Sequence, residues 1–132
     1  LTDVLDTVEL LAEAADCVKQ GQIYLRELRY RISQVNNKSS VINLSDKPRV
    51  ALLDWLDPIF DGGHWSPEII ELAGGIACFG NKREPSQRRS WNDLIQARPE
   101  IIFIALCGFN VERSMQDVED FFGDPDRKRS MT

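Results

Sequence analysis

Residues 49–75 read RVALLDWLDPIFDGGHWSPEIIELAGG, and the reading of this stretch decides the fold. Val50-Ala51-Leu52-Leu53 is a continuous apolar run, the pattern of a strand covered on both faces. At the far end Ser66-Pro67-Glu68 predicts a helix start: Ser as N-cap, Pro at the first helical position, Glu at the positive end. Ile69, Ile70, Leu72 and Ala73 supply its buried face, and Gly74-Gly75 a left-handed stop. Between strand and helix, Leu53–Trp65 carries two Trp, one Phe, three Asp, a Gly pair and the only His of the chain. A simple connector needs none of these, so the rest of the chain is expected to hold this loop in place.

Downstream, Ile76–Phe79 predicts a second short strand, and residues 80–89 (GNKREPSQRR) form a basic loop with Lys82, Arg83, Arg88 and Arg89. This loop reads more simply as a solvated charge cluster than as a holder for an acidic ligand group. Ser90-Trp91-Asn92-Asp93 resembles a capping box with Asp in place of Glu, opening a helix that Arg98-Pro99 stops. Ile101–Leu106 is the strongest strand signal, and Asn110 caps a last helix with Val111, Met115, Val118 and Phe122 on one face. Upstream, Thr2–Ala15 has helical period, and Asp16 is expected to cap a second helix to about Val35 with the seam Leu25, Leu28, Ile32, Val35. Gly21 weakens that helix by roughly 1 kcal/mol relative to Ala. The expected organisation is a helical segment at 1–36, a polar connector at 37–47, an α/β lobe at 48–124 and a frayed tail at 125–132. Alternating strands and helices predict a parallel sheet flanked by helices.

Sixteen basic and twenty-one acidic residues give a net charge of −5, which argues against a nucleic-acid or anionic-membrane surface. No apolar run approaches the ~18 residues that span a bilayer. Cys17, Cys78 and Cys107 are far apart and odd in number, so a disulfide framework is not expected, and one His gives no zinc-ligand spacing.

In parallel α/β folds ligands bind outside the carboxyl ends of strands. Two loops converge there: the aromatic stretch and Cys107–Asn110. Trp55, Phe60, Trp65 and Phe109 offer flat apolar surface, while Asp54, Asp57 and the amides of the Gly-rich turns at Gly63 and Gly108 offer polar contacts; that mixture suits a large, flat, partly polar ligand. The competing reading makes the aromatics a satellite core. His64 reads as an acid/base, a metal ligand or a loop-fixing residue, the last being the commonest role of an isolated His. A Cys107–His64 nucleophilic pair lacks any visible third member or oxyanion site. No glycine fingerprint for phosphate follows a strand. No catalytic or metal-ligating set is assigned.

RVALLDWLDPIFDGGHWSPEIIELAGG together with SWNDLIQARPEIIFIALCGFNVER resembles the C-terminal lobe of the cobalamin-type substrate-binding proteins of ABC transporters, a group that also includes iron-siderophore and haem binders. Leu1–Val35 resembles the helical segment joining the two lobes of that family. The resemblance implies a non-enzymatic, cofactor-free protein that holds a corrinoid, or a siderophore or haem, in an inter-lobe cleft. Trp55, Asp57, Phe60, Gly63, His64, Trp65, Gly108 and Phe109 are then the ligand-binding positions. Asp54 and Ser86 fall where some relatives carry aromatics. Docking to an ABC permease is implied through an acidic residue, here Glu68 or Asp93. A periplasmic or extracytoplasmic location is implied, with a cytoplasmic one left open by three unpaired cysteines. The resemblance also implies a further lobe before the chain and a strand and helix after it, so that an exposed lobe interface invites self-association. The alternative of another class is a standalone α/β domain for protein interaction or regulation.

Overall fold

The computed structural model describes residues 1–130. Its elements are α1 (Thr2–Ala14), α2 (Val18–Ser39), a 3-10 turn (Leu44–Asp46), β1 (Arg49–Leu56), β2 (Ile59–Asp61), α3 (Ser66–Leu72), β3 (Ile76–Ala77), α4 (Trp91–Ala97), β4 (Ile101–Ile104), α5 (Val111–Gly123) and α6 (Pro125–Ser130). β1 is the central strand. Val50 is paired in parallel to both Ala77 of β3 and Ile101 of β4, while Leu53 faces Ile104 of β4 and Asp61 of β2. β4 therefore lies along one edge of β1, and β3 and β2 share the other, end to end.

The sheet is mixed, which corrects the expectation of a parallel one: β2 runs antiparallel to β1. The cause is length. Only Asp57 and Pro58, joined by a cis peptide, separate the two strands, and a parallel crossover needs a dozen residues or more. Leu53–Leu56, read above as the opening of a loop, thus extends the strand.

The apolar run of β1 is buried as its sequence predicts. Ala51 and Leu53 are fully buried and pack with Leu56, Ile59, Leu94, Leu106 and Phe121. Trp91, Phe121 and Phe122 meet edge to face, with centroids 5.0 to 6.0 Å apart, and close this core under α4 and α5. The Ser90–Asp93 capping box forms as expected, and Asn110 accepts from the Arg113 amide at 2.9 Å to cap α5. The tail at 125–132 is not frayed as far as it is described: 125–130 form α6, whose first amides (Asp126, Arg127) donate to the Asp124 carboxylate. Residues 131 and 132 lie outside the described residues.

Two helix starts differ from expectation. Asp16 sits at φ 52° and does not cap α2, and Trp65, not Ser66, occupies the N-cap of α3. α2 also runs on to Ser39, whose hydroxyl donates to the Leu72 carbonyl at 2.6 Å and ties α2 to α3. That bond rewards four more residues of helix than the apolar seam alone calls for.

Gly21 has a role that helix propensity hides. A Cβ at Gly21 would stand 2.3 Å from the Cβ of Ala12, so the glycine lets α1 and α2 cross closely. Gly21→Ala should therefore lower the melting temperature although Ala gains about 1 kcal/mol of helix propensity. In a thermal melt, Ala12→Gly combined with Gly21→Ala should recover part of the loss, because one methyl then occupies the crossing.

Candidate functional site

The aromatic stretch is shaped by one extra residue. Leu53 faces Asp61 but Trp55 faces Phe60, so Asp54 is a β-bulge in β1. Bulges turn side chains to new directions beside sites. Here Asp54 accepts a hydrogen bond from the Ser86 hydroxyl at 2.6 Å, and the Ser86 oxygen accepts in turn from the Gly63 amide at 3.2 Å.

Ser86 belongs to the basic loop, which is clamped along β2. Asp61 is fully buried; one carboxylate oxygen accepts from the Gln87 amide at 2.7 Å, and the other takes the Arg89 guanidinium at 2.6 and 2.7 Å. Main-chain bonds run alongside: Asp61 N–H to Gln87 O at 3.0 Å, Arg89 N–H to Ile59 O at 2.9 Å, His64 N–H to Glu84 O at 2.5 Å and Arg83 N–H to His64 O at 2.9 Å. Arg83 also pairs with Asp3 at 3.0 Å, and Lys82 with Glu71. The solvated cluster expected for 80–89 holds for the exposed Lys82, Arg83 and Arg88, and Arg89 alone departs from it. Three of its four cations are committed to carboxylates, Arg89 to a buried one. The signal was Asp61 itself, a charge at a buried position of a strand, which requires a cation.

The expected ligand residues fall into two groups. Trp55 and Phe109 meet at a centroid distance of 5.2 Å with planes tilted 53°, the Arg113 guanidinium lies 5.1 Å from the Phe109 ring, and the Trp55 indole N–H donates to the Asp57 carbonyl at 3.1 Å. This joins the carboxyl ends of β1 and β4, as the convergence of the two loops predicts. A shallow cavity of about 280 Å³ beside it is lined by Trp55, Asp57, Leu106, Asp117, Phe121 and Arg127. Arg113, which sequence reading passed over, is placed by the i, i+4 bond of its Nε to Asp117 at 3.0 Å.

His64 and Trp65 form the second group, 5.8 Å apart and both exposed, over a cavity of about 280 Å³ shared with Val4 and Thr7 of α1 and Arg83. His64 sits at φ 56°, and its main chain bonds to Glu84 and Arg83 through contacts that do not involve the imidazole. Phe60 is half-buried on β2, bridged to Arg88. Gly108 is exposed at φ 78° with open space around its Cα, so its turn, not packing, requires glycine. Gly63 is buried: a Cβ there would stand 2.2 Å from the Ser86 amide nitrogen. Its lack of a side chain serves the clamp, and its amide is already given to Ser86.

Of the two acidic docking candidates, Glu68 lies half-buried on α3 and takes the Leu1 amino group. Asp93 is exposed and caps α4; the Ser90 amide and hydroxyl hold its carboxyl below the usual range. Cys107 donates its amide to Asp54 O, and no hydrogen bond joins it to His64 among the described residues, so the geometry does not support the thiol reading. No group of three His, Cys, Asp or Glu side chains positioned for a metal occurs among the described residues, nor any helix long and apolar enough to cross a membrane.

Two changes test the clamp. Asp61→Ala leaves the Arg89 charge without its buried partner and should cost about 3–5 kcal/mol in urea unfolding. Gly63→Ala must push the backbone of 84–86 away, and should speed hydrogen exchange at the amides of Asp61, His64 and Arg89. For the α4 cap, Ser90→Ala should cost about 1 kcal/mol. The Asp93 contribution to that cap is present above its unfolded pKa and fades as pH falls through the lower folded value, which helical circular dichroism of wild type against Asp93→Asn would follow.

No protein-family model matches the chain. The vitamin B12-binding protein of Vibrio cholerae is 24% identical over 110 residues, covering 78% of this chain and 37% of that protein. The chain thus spans well under half the length of the curated relative it matches. Among solved structures, an ABC transporter substrate-binding protein from Listeria monocytogenes superposes with a TM-score of 0.78 at 19% identity, covering 97% of this chain and 50% of the other. The periplasmic vitamin B12-binding protein of Vibrio cholerae gives 0.62 at 21%, covering 86% and 45%, and the haem complex of a S. aureus protein 0.74 at 15%, covering 96% and 49%. The chain is similar in sequence to vitamin B12-binding proteins and has the fold of ABC-transporter substrate-binding proteins, over a stretch that makes at most about half of one.

Proposed function

We propose that the chain is a corrinoid-binding lobe for ABC-transporter import, working outside the cytoplasmic membrane and doing no chemistry on its ligand. The observation that carries this reading is the Trp55–Phe109 pair at the open carboxyl edge of β1 and β4. Tilted aromatic rings flanked by Arg113 and Asp57 offer an apolar platform with polar groups at its rim, which suits a broad macrocycle with polar edge substituents. The adjoining cavities of about 280 Å³ are too shallow to enclose such a ligand, so the site works as one wall of a cleft. His64 and Trp65 form a separate part of that wall, and Gly63 supports it from beneath. Glu68 or Asp93 is the docking carboxylate for a permease, Asp93 being the more exposed.

The exposed His64 imidazole favours haem as a second reading, since His is a common axial ligand of haem iron. Titration with cobalamin and, separately, with haemin distinguishes the two. Cobalamin should quench the tryptophan fluorescence with half-saturation in the high micromolar range, because a single wall buries one face of the ligand. Trp55→Ala or Phe109→Ala should weaken it by about tenfold, the worth of an aromatic contact. Absence of quenching and of any shift in the cobalamin visible spectrum would sink the corrinoid reading. A Soret shift on haemin addition that His64→Ala abolishes would establish the second.

A further inference from the structure

We propose, resting on the corrinoid reading, that Asp54 and Arg88 decide which macrocycle the wall accepts. They admit one edged with primary carboxamides, as a corrinoid is, and reject one edged with carboxylates, as haem is. Both residues lie on one face of the sheet edge. Phe60 and Arg88 oppose each other across an antiparallel bridge. The Asp61 amide donates to Gln87 O and the Arg89 amide to Ile59 O, so 60 and 88 are a non-hydrogen-bonded pair, the arrangement that brings side chains closest. Arg89 turns the other way, to buried Asp61 and to the Phe79 ring, whose centroid is 5.2 Å from its guanidinium carbon. Alternation therefore leaves Arg88 on the outer face with Phe60, and Ser86, two residues earlier, returns to that face.

Asp54 is brought to the same face by its bulge and by Ser86. One carboxylate oxygen accepts from the Ser86 hydroxyl at 2.6 Å, and the Ser86 oxygen accepts from the Gly63 amide at 3.2 Å. Ser86 thus spends its proton on Asp54 and a lone pair on the turn, which makes it a positioning residue. An ionised carboxylate accepts about four hydrogen bonds, and the Asp54 side chain receives this one among the described residues. Arg88 is exposed and forms no ion pair among the described residues, whereas Lys82, Arg83 and Arg89 each form one. Asp54, Phe60, Ser86 and Arg88 are all internal to the chain and are oriented by one another, so the set does not depend on where the chain starts or stops.

The face therefore presents an acceptor-only anion and a donor-only cation beside a phenyl ring. A primary carboxamide matches both: its N–H groups donate to Asp54 and its carbonyl accepts from Arg88. A carboxylate matches Arg88 but has no proton for Asp54, and the two like charges repel more strongly as the ligand displaces water. The net charge of −5 acts in the same sense. Trp55 follows Asp54 in the chain and opposes Phe60 in register, which sets this selection at the margin of the aromatic platform.

Equilibrium dialysis near neutral pH, read by corrin absorbance, compares cobalamin with the monocarboxylic acids made by hydrolysing one of its amides, isomer by isomer. Ring and cobalt are unchanged, so only the edge differs. Wild type should bind at least one acid about tenfold more weakly than cobalamin. Asp54→Asn, which keeps its size and an acceptor for Ser86, should cut that ratio to about twofold or less. Arg88→Gln should weaken cobalamin and widen the ratio, and circular dichroism checks that both variants fold. Acids that all bind like cobalamin overturn the proposal and leave the corrinoid reading standing. So does a preference that Asp54→Asn leaves unchanged, or cobalamin binding that Arg88→Gln leaves unchanged. Failure of cobalamin itself to bind removes the corrinoid reading and the proposal with it.

Discussion

The buried pair of Asp61 and Arg89 is the constraint on which the rest of the site depends. A carboxylate with no solvent exposure is tolerable only with a cation and hydrogen bonds in place, since a buried charge without its partner costs several kcal/mol. Meeting that demand requires the loop after β3 to fold back along β2. Once it does, the amides of Asp61, Gly63 and His64 all find acceptors in residues 84–87, and the Gly62-Gly63 turn has no freedom left. Local sequence alone would leave this turn mobile. The long-range ion pair makes it a fixed support for His64 and Trp65.

The bulge at Asp54 extends the same logic to the platform. A regular hairpin would keep Asp54 in the strand alternation, whereas the extra residue coincides with a bond from Ser86 to its carboxylate. Asp54 and Ser86 are the two positions where the resemblance led one to expect aromatics, and they are bonded to each other. A pair of departures that satisfy one another is a coherent local change. It trades apolar surface for a polar contact between the clamp and β1, and leaves the platform to Trp55 and Phe109.

Much of this was legible in the sequence. The apolar run of β1, the Ser90–Asp93 cap, the Asn110 cap and the convergence of two aromatic loops all rest on local signals, and each forms. The hairpin escapes a reading that takes Leu53–Leu56 as loop for its aromatics, although the two-residue Asp-Pro connection between apolar residues implies reversal. The clamp was not legible in detail. Which of Lys82, Arg83, Arg88 and Arg89 meets Asp61 depends on tertiary path, and charge composition carries no path. Gly21 shows the same limit: its propensity cost is local, but its use, the close crossing at Ala12, belongs to a contact between two helices.

The placement of apolar surface then separates two kinds of exposure. At the carboxyl edge the aromatics are bordered by Arg113, Asp117 and Asp57, charges that would resist burial against another protein core but can orient a polar ligand rim. Along β4 the exposed side chains are aliphatic or phenyl and uncharged for six residues, and among the described residues the strand pairs with β1 alone. The aromatic edge is therefore apolar surface rimmed by charge, and the edge of β4 is apolar surface without it.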